Sequence, residues 1–180
     1  GAVAGLEGFS VDAAFRFYNF ILSETHVFSS TLTNEARVAY NRISILGALA
    51  DPDGLAGSLP FITVPQISTL GVTPQFPQGR IQNNYTAQDT VTWVRGNHTL
   101  RGGVEYVRQI ATDLAPYNAR GSVTYAASSA PTYTAFANFV DNFGGDTNLG
   151  NAARDIGSAV SNPNLHRTAV FFQDRWRASN

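Results

Sequence analysis

The chain has no cysteine and no methionine among its 180 residues. The first absence excludes disulfides, thiolate metal sites and a cysteine nucleophile. Charge is also scarce: Asp, Glu, Lys and Arg make up 14% of the residues and sum to -1, where a soluble domain carries about a quarter. No basic patch is present to take a nucleic acid. No apolar run reaches the roughly 20 residues of a membrane-spanning helix, which leaves strands as the means of crossing a bilayer. No basic and apolar leader opens the chain, and Gly1-Ala2-Val3-Ala4-Gly5 reads as an internal start, so the sequence reads as a piece of something longer.

The length suffices for one domain with a sizeable core. Apolar content is ordinary at 43%, and Phe and Tyr are plentiful. Thr, Ser, Asn, Gln and Gly stand where charges would be. A surface that is polar but uncharged suits barrel walls and exported loops.

The organising stretch is Tyr85 to Arg108. Gly96-Asn97 is a dipeptide for a two-residue hairpin turn. With that turn, Trp93 faces Leu100, Val91 faces Gly102, Asp89 faces Val104 and Ala87 faces Tyr106. One side of the ribbon then carries Tyr85, Ala87, Val91, Trp93, Leu100, Val104 and Tyr106. The other carries Thr86, Gln88, Thr90, Thr92, Thr99, Arg101, Glu105 and Gln109. Neighbours in a pleated strand point to opposite sides, so the pair is apolar on one face and wet on the other. A soluble sandwich and a transmembrane barrel both read this way.

Further strands are expected at about 15–27, 32–45 and 166–178, beside 82–95 and 98–110. The facing of 15–27 is open, with Tyr18, Phe20 and Leu22 competing against Phe17, Ile21 and Val27. Leu32, Ala36, Val38 and Tyr40 share one face of the second strand, although its Ala, Glu and Arg also favour a helix. The stretches 46–81 and 111–165 are expected as long loops, with a short helix within Tyr133 to Phe143. Short turns thus alternate with long loops, which is the habit of outer-membrane barrels and unusual within a compact soluble domain. Trp93 and Trp176 fall near the short-turn rim, where indoles form an interfacial girdle. Asp89 and Asp174 fall by parity on the apolar face. Either a bulge shifts the local parity or both lie close to an interface.

Three blocks carry a likeness. They are Asn34-Glu35-Ala36-Arg37 followed by Tyr40-Asn41-Arg42, then Thr92 to Gly103, then Phe171-Phe172-Gln173-Asp174-Arg175-Trp176-Arg177. In this order and spacing they resemble the barrel of TonB-dependent outer-membrane receptors, nearest to the Oar-like branch, whose members often carry an N-terminal carboxypeptidase-regulatory-like domain. The resemblance implies a barrel of about 22 strands closed by a plug, placed in the bacterial outer membrane and importing a bulky ligand with energy passed through TonB. It implies outer-membrane lipid, an extracellular ligand and the TonB complex as partners, the last through parts outside this chain. The expected fold is therefore all-β: antiparallel up-and-down strands forming a partial segment of a transmembrane β-barrel, with long loops on one rim. Residues 1–180 would be one fragment of that barrel domain. A β-sandwich that binds a glycan or a protein through its loops is the rival.

No catalytic, cofactor or metal residue is expected. His26, His98 and His166 lack a metal-ligand spacing. Glu35, Arg37, Arg101 and Glu105 are expected to pair across strands on the wet face. Asp51-Pro52-Asp53-Gly54 and Asp141 to Asp146 hold the raw material of calcium loops without the spacing, and turn chemistry explains both. Gly102-Gly103 precedes a strand and so is no phosphate loop; relief of crowding or sharp local curvature of the sheet is its expected role. Asn84-Tyr85-Thr86 and Asn97-His98-Thr99 match the glycan-acceptor pattern, which recurs by chance. No serine sits in a nucleophile elbow, and no enzyme is expected.

Overall fold

The computed structural model describes residues 7–129, 132–144 and 152–178. In chain order the elements are β1 (Val11–Ser29), β2 (Leu32–Leu49), α1 (Leu55–Ser58), β3 (Phe61–Thr63), β4 (Gln78–Arg95), β5 (His98–Leu114), β6 (Ser122–Thr124), β7 (Ser128–Ser129), β8 (Thr132–Tyr133), α2 (Ala135–Val140), β9 (Ala152–Ala153), β10 (Val160–Ser161) and β11 (Leu165–Trp176). The large sheet runs β1-β2-β4-β5, with β10 and β11 both on the far edge of β5. Neighbours in sequence are thus neighbours in the sheet, the up-and-down order expected.

The hairpin between β4 and β5 turns at Gly96-Asn97. Gly96 holds a φ of 59°, and Asn97 is not among the residues of positive φ, which is the pattern of a II′ turn with glycine in its first central place. Arg80 bonds Asp113, and Gln88 bonds Glu105. Both pairs are equidistant from the turn, so the register is kept along the whole ribbon. β11 continues it in twelve consecutive pairs, from Leu165 opposite Gln109 to Trp176 opposite His98. β10 pairs with β5 in the same register. Between β10 and β11 lies Asn162-Pro163-Asn164, where proline has no N–H for the ladder. The Asn side chains patch the gap: Ala111 N–H donates to Asn164 Oδ1 at 3.3 Å, and Thr112 Oγ1 to Asn162 Oδ1 at 3.0 Å.

Four of the five expected strands outrun their bounds, while the last, expected at 166–178, spans Leu165–Trp176. The first spans Val11–Ser29 rather than 15–27, and the third begins at Gln78 rather than 82. Among their described residues, the stretches 46–81 and 111–165, expected as loops, contain two short helices and several strands of two or three residues. Main-chain pairing satisfies these segments where side-chain alternation is absent. The helix expected within Tyr133 to Phe143 is α2, whose Thr134 hydroxyl accepts the Ala137 N–H at 3.1 Å as an N-cap.

The chain divides into two compact units. We call Arg16–Ser44, Ile81–Thr112 and Asn162–Asn180 the wall unit, and Gly1–Phe15, Ile45–Arg80 and Asp113–Ser161 the loop unit. The loop unit has conventional cores. Val11, Ala56 and Val72 form one, with Phe9, Leu49 and Phe76 against it; Val64, Tyr125 and Ala135 form another, with Ile62, Val123 and Phe139. A parallel β3–β6 pair, joined by β9, supports the second. Arg120 ties the first together by donating to the carbonyls of Ala56, Val72, Thr73 and Phe76. Burial pushes this guanidinium below its ordinary pKa, and four carbonyl partners compensate the cost of taking the charge out of water.

Candidate functional site

The wall unit has an apolar face, and that face is the exposed one. Along β4, Tyr85, Ala87, Val91 and Trp93 are exposed, while Thr86, Gln88, Thr90 and Thr92 are half-buried. The same inversion continues across β5, where Val104 and Tyr106 are exposed and Glu105 and Gln109 half-buried. On β11, Val170 is 77% and Phe172 73% exposed. Each such side chain gains about 1.5–3 kcal/mol when removed from water. A water-soluble sandwich would bury this face; along β4 and from Val104 to Gln109 of β5 the polar face is the more sheltered, while β11 is exposed on both faces. The arrangement is stable where the solvent of the apolar face is lipid.

β1 settles into this pattern through its neighbours. Phe20 shares a hollow with Val38, Tyr40, Tyr85 and Tyr106, and Leu22 shares another with Ala36, Val38, Ala87 and Val104. Tyr18, Phe20 and Leu22 therefore belong to the lipid face, and Phe17 and Ile21 to the opposite one. The sequence left this open because both faces of β1 are apolar.

Two belts of polar-tipped side chains bound the apolar band. Near the hairpin turn, the His98 and Trp176 rings stack with centroids 6.0 Å apart, His98 Nδ1 meets Asp174 Oδ2 at 2.7 Å, and Arg95 lies 5.4 Å over Trp93. At the other end, Tyr40 packs on Tyr85 at 5.2 Å and donates from its hydroxyl to Asn83 at 2.8 Å. There too Tyr106 Oη and His166 Nδ1 are 2.7 Å apart. Trp93 to Tyr85, and His98 to Tyr106, are eight residues each. At about 3.4 Å per residue and a tilt near 40°, that is roughly 20 Å of bilayer, close to the band of an outer-membrane barrel. The expected placement of Trp93 and Trp176 in a girdle matches this geometry.

The two carboxylates on the apolar face have different surroundings. Asp174 belongs to the turn-side belt, close to an interface as one expectation had it. Asp89 does not fit either expectation: parity is kept, and it lies four residues from both Trp93 and Tyr85, beside Leu22, Val104 and Tyr106. Asn34 Nδ2 donates to its Oδ1 and also to Thr90 O, which replaces part of the lost hydration.

On the polar face Glu105 accepts from Gln88 and from Arg167 Nη2 across two strands. The expected cross-strand pairing holds there and fails elsewhere. Glu35 pairs with Arg37 two residues along its own strand at 2.6 Å, and Arg101 lies 5.9 Å from the Phe171 ring. Gly103 answers the expectation of crowding, because a Cβ would stand 2.6 Å from both Asp89 O and the Cε1 edge of the Phe171 ring; Gly102 has more room. The three histidines have separate partners: Glu24 and Phe28 for His26, Asp174 for His98, Tyr106 for His166. No cluster of three or more metal-ligating side chains occurs among the described residues. Gly54 N–H donates to Asp51 Oδ1 at 3.0 Å, so the first Asp-Pro-Asp-Gly stretch is a turn. In the second acidic stretch, Gly145 and Asp146 lie outside the described residues.

An exposed apolar sheet face between two amphipathic belts, carried by antiparallel strands on two-residue turns, defines a membrane-embedded barrel wall. Residues 1–180 match the family model described as an outer membrane beta barrel domain, and the chain belongs to that family. Its place is the bacterial outer membrane. No curated protein and no solved structure matches the chain.

Proposed function

We propose that the chain is a section of a TonB-dependent receptor barrel of the Oar-like kind, and that the whole protein takes up a bulky ligand using energy passed through TonB. The observation that supports this most is the asymmetry of the connections. Ser30-Thr31 and Gly96-Asn97 close two strand pairs in two residues, whereas the connections 50–77 and 115–164 are long. The three sequence blocks in receptor order add to it. In this reading the wall contacts outer-membrane lipid, and the long connections face outward and capture ligand. The TonB complex is reached through other parts of the protein. The protein is a carrier rather than a catalyst, with no cofactor and no nucleic-acid partner.

Association of the full-length protein with the periplasmic domain of TonB, measured in detergent, tests the proposal. Saturable binding is the expected result. A full-length protein that assembles in the outer membrane and never engages TonB would instead be a passive or adhesive barrel.

A further inference from the structure

The loop unit contains a hollow of about 520 Å³ between 115–119 and 154–159. Main-chain bonds frame it: Ala115 N–H donates to Ala159 O at 3.0 Å, and Asp155 N–H to Asn118 O at 3.2 Å. Asp155 locks the frame from the other side, its Oδ2 accepting the Asn118 N–H at 2.8 Å. Two hydrophobic side chains line this frame without being covered by it. Tyr117 is 70% exposed and Ile156 98% exposed. Arg154, on the same rim, has no hydrogen bond or ion pair among the described residues.

The lining narrows the class of ligand. Its formal charges are one guanidinium and one carboxylate, Arg154 and Asp155, so neither a cation nor an anion is favoured by net charge. The guanidinium offers only donors, and the second oxygen of Asp155 only acceptor capacity. A ligand meeting both must donate and accept at neighbouring positions, as vicinal hydroxyls do. The exposed Tyr117 ring adds a flat apolar surface with a polar tip, which matches the C–H face of a pyranose. We propose that this hollow binds a neutral oligosaccharide, with Tyr117 stacked on a sugar ring and Arg154 and Asp155 hydrogen-bonded to its hydroxyls. The inference rests on the long connections being the outward, ligand-capturing side, and it gives that side a substrate class.

The test is retention of the labelled full-length protein, in detergent, on an array of neutral and uronic-acid oligosaccharides. Wild type is expected to hold neutral glycans, with at least tenfold weaker retention for Tyr117→Ala and several-fold weaker retention for Arg154→Gln. Both side chains are exposed, so heat-modifiable gel mobility should be unchanged and serves as the control for folding. No retention of neutral glycans, retention of acidic ones alone, or undiminished retention by Tyr117→Ala overturns the site. TonB binding, measured on the same preparations, separates the two ideas. Glycan retention without TonB association keeps the site and removes energised uptake; TonB association without glycan retention does the reverse.

Discussion

The wall unit and the loop unit meet opposite solvation problems with the same alphabet. In the loop unit Val11, Ala56, Val64, Val72, Tyr125 and Ala135 are buried and form ordinary cores; in the wall unit Ala111 is the buried hydrophobic among the described residues. The wall's large side chains lie outside, from Phe17 to Trp176. A protein in water is stabilised by what it hides. A wall in lipid gains little from hiding apolar groups, because the hydrocarbon is as apolar as leucine. What it must do is satisfy its backbone and keep charge off one face. The loop unit depends on side-chain packing, and the wall on ladder pairing and on its surroundings.

The sharpest way to break this comparison uses adjacent residues on opposite faces. Val91→Arg in the full-length protein should cost about 2–4 kcal/mol near mid-bilayer, whereas Thr90→Arg should cost close to nothing. Urea unfolding from lipid vesicles measures both, and equal costs would erase the distinction of faces. Next in size is Arg120→Ala. It strips four carbonyls of a charged donor and should weaken the loop unit by roughly 2–3 kcal/mol. Trypsin cleavage of the long connections, followed on the full-length protein in detergent, should accelerate by tens of fold while the wall stays assembled. One shared unfolding transition would show that the units are not independent. Asn34→Ala should cost about 1–2 kcal/mol by leaving Asp89 without its donor in lipid, and the Asn34→Ala/Asp89→Ala double variant should recover most of it. An additive double variant would mean the pair is not coupled. The smallest perturbation is a cysteine at Val104 and another at Thr99, in a stretch with none of its own. A lipid-soluble thiol reagent should label the first and an aqueous one the second; a Val104 site closed to both would place that face in a protein core.

The wall was legible in the sequence because its two determinants are local. Gly96-Asn97 fixed the turn, and alternation from Tyr85 to Tyr106, broken at Asp89 and at the glycines, fixed the faces. Legibility failed wherever alternation failed. β1 has Phe17 and Ile21 on one side and Phe20 and Leu22 on the other, so only its neighbours could orient it. The strand ends at Gln78-Gly79-Arg80 and Ile110 to Leu114 carry no period-two signal; pairing across strands extends them. Strands of two residues, such as β7 and β9, are too short for any period. Arg120 was invisible for another reason. Its partners are main-chain carbonyls gathered from 56, 72, 73 and 76, and no side-chain pattern announces those.

The unbroken register of β5 and β11 bears on how such a wall is assembled. Over twelve pairs no residue is skipped, so a slip of β11 by a single position would send all of its side chains to the opposite face at once. Arg167, Gln173 and Arg175 of the slipped β11 would then turn toward lipid together, each arginine at a cost that rises to about 2–4 kcal/mol toward the midplane. A misaligned strand is thus rejected collectively during insertion. The bilayer proofreads the alignment, and the scarcity of charge keeps the correct copy admissible.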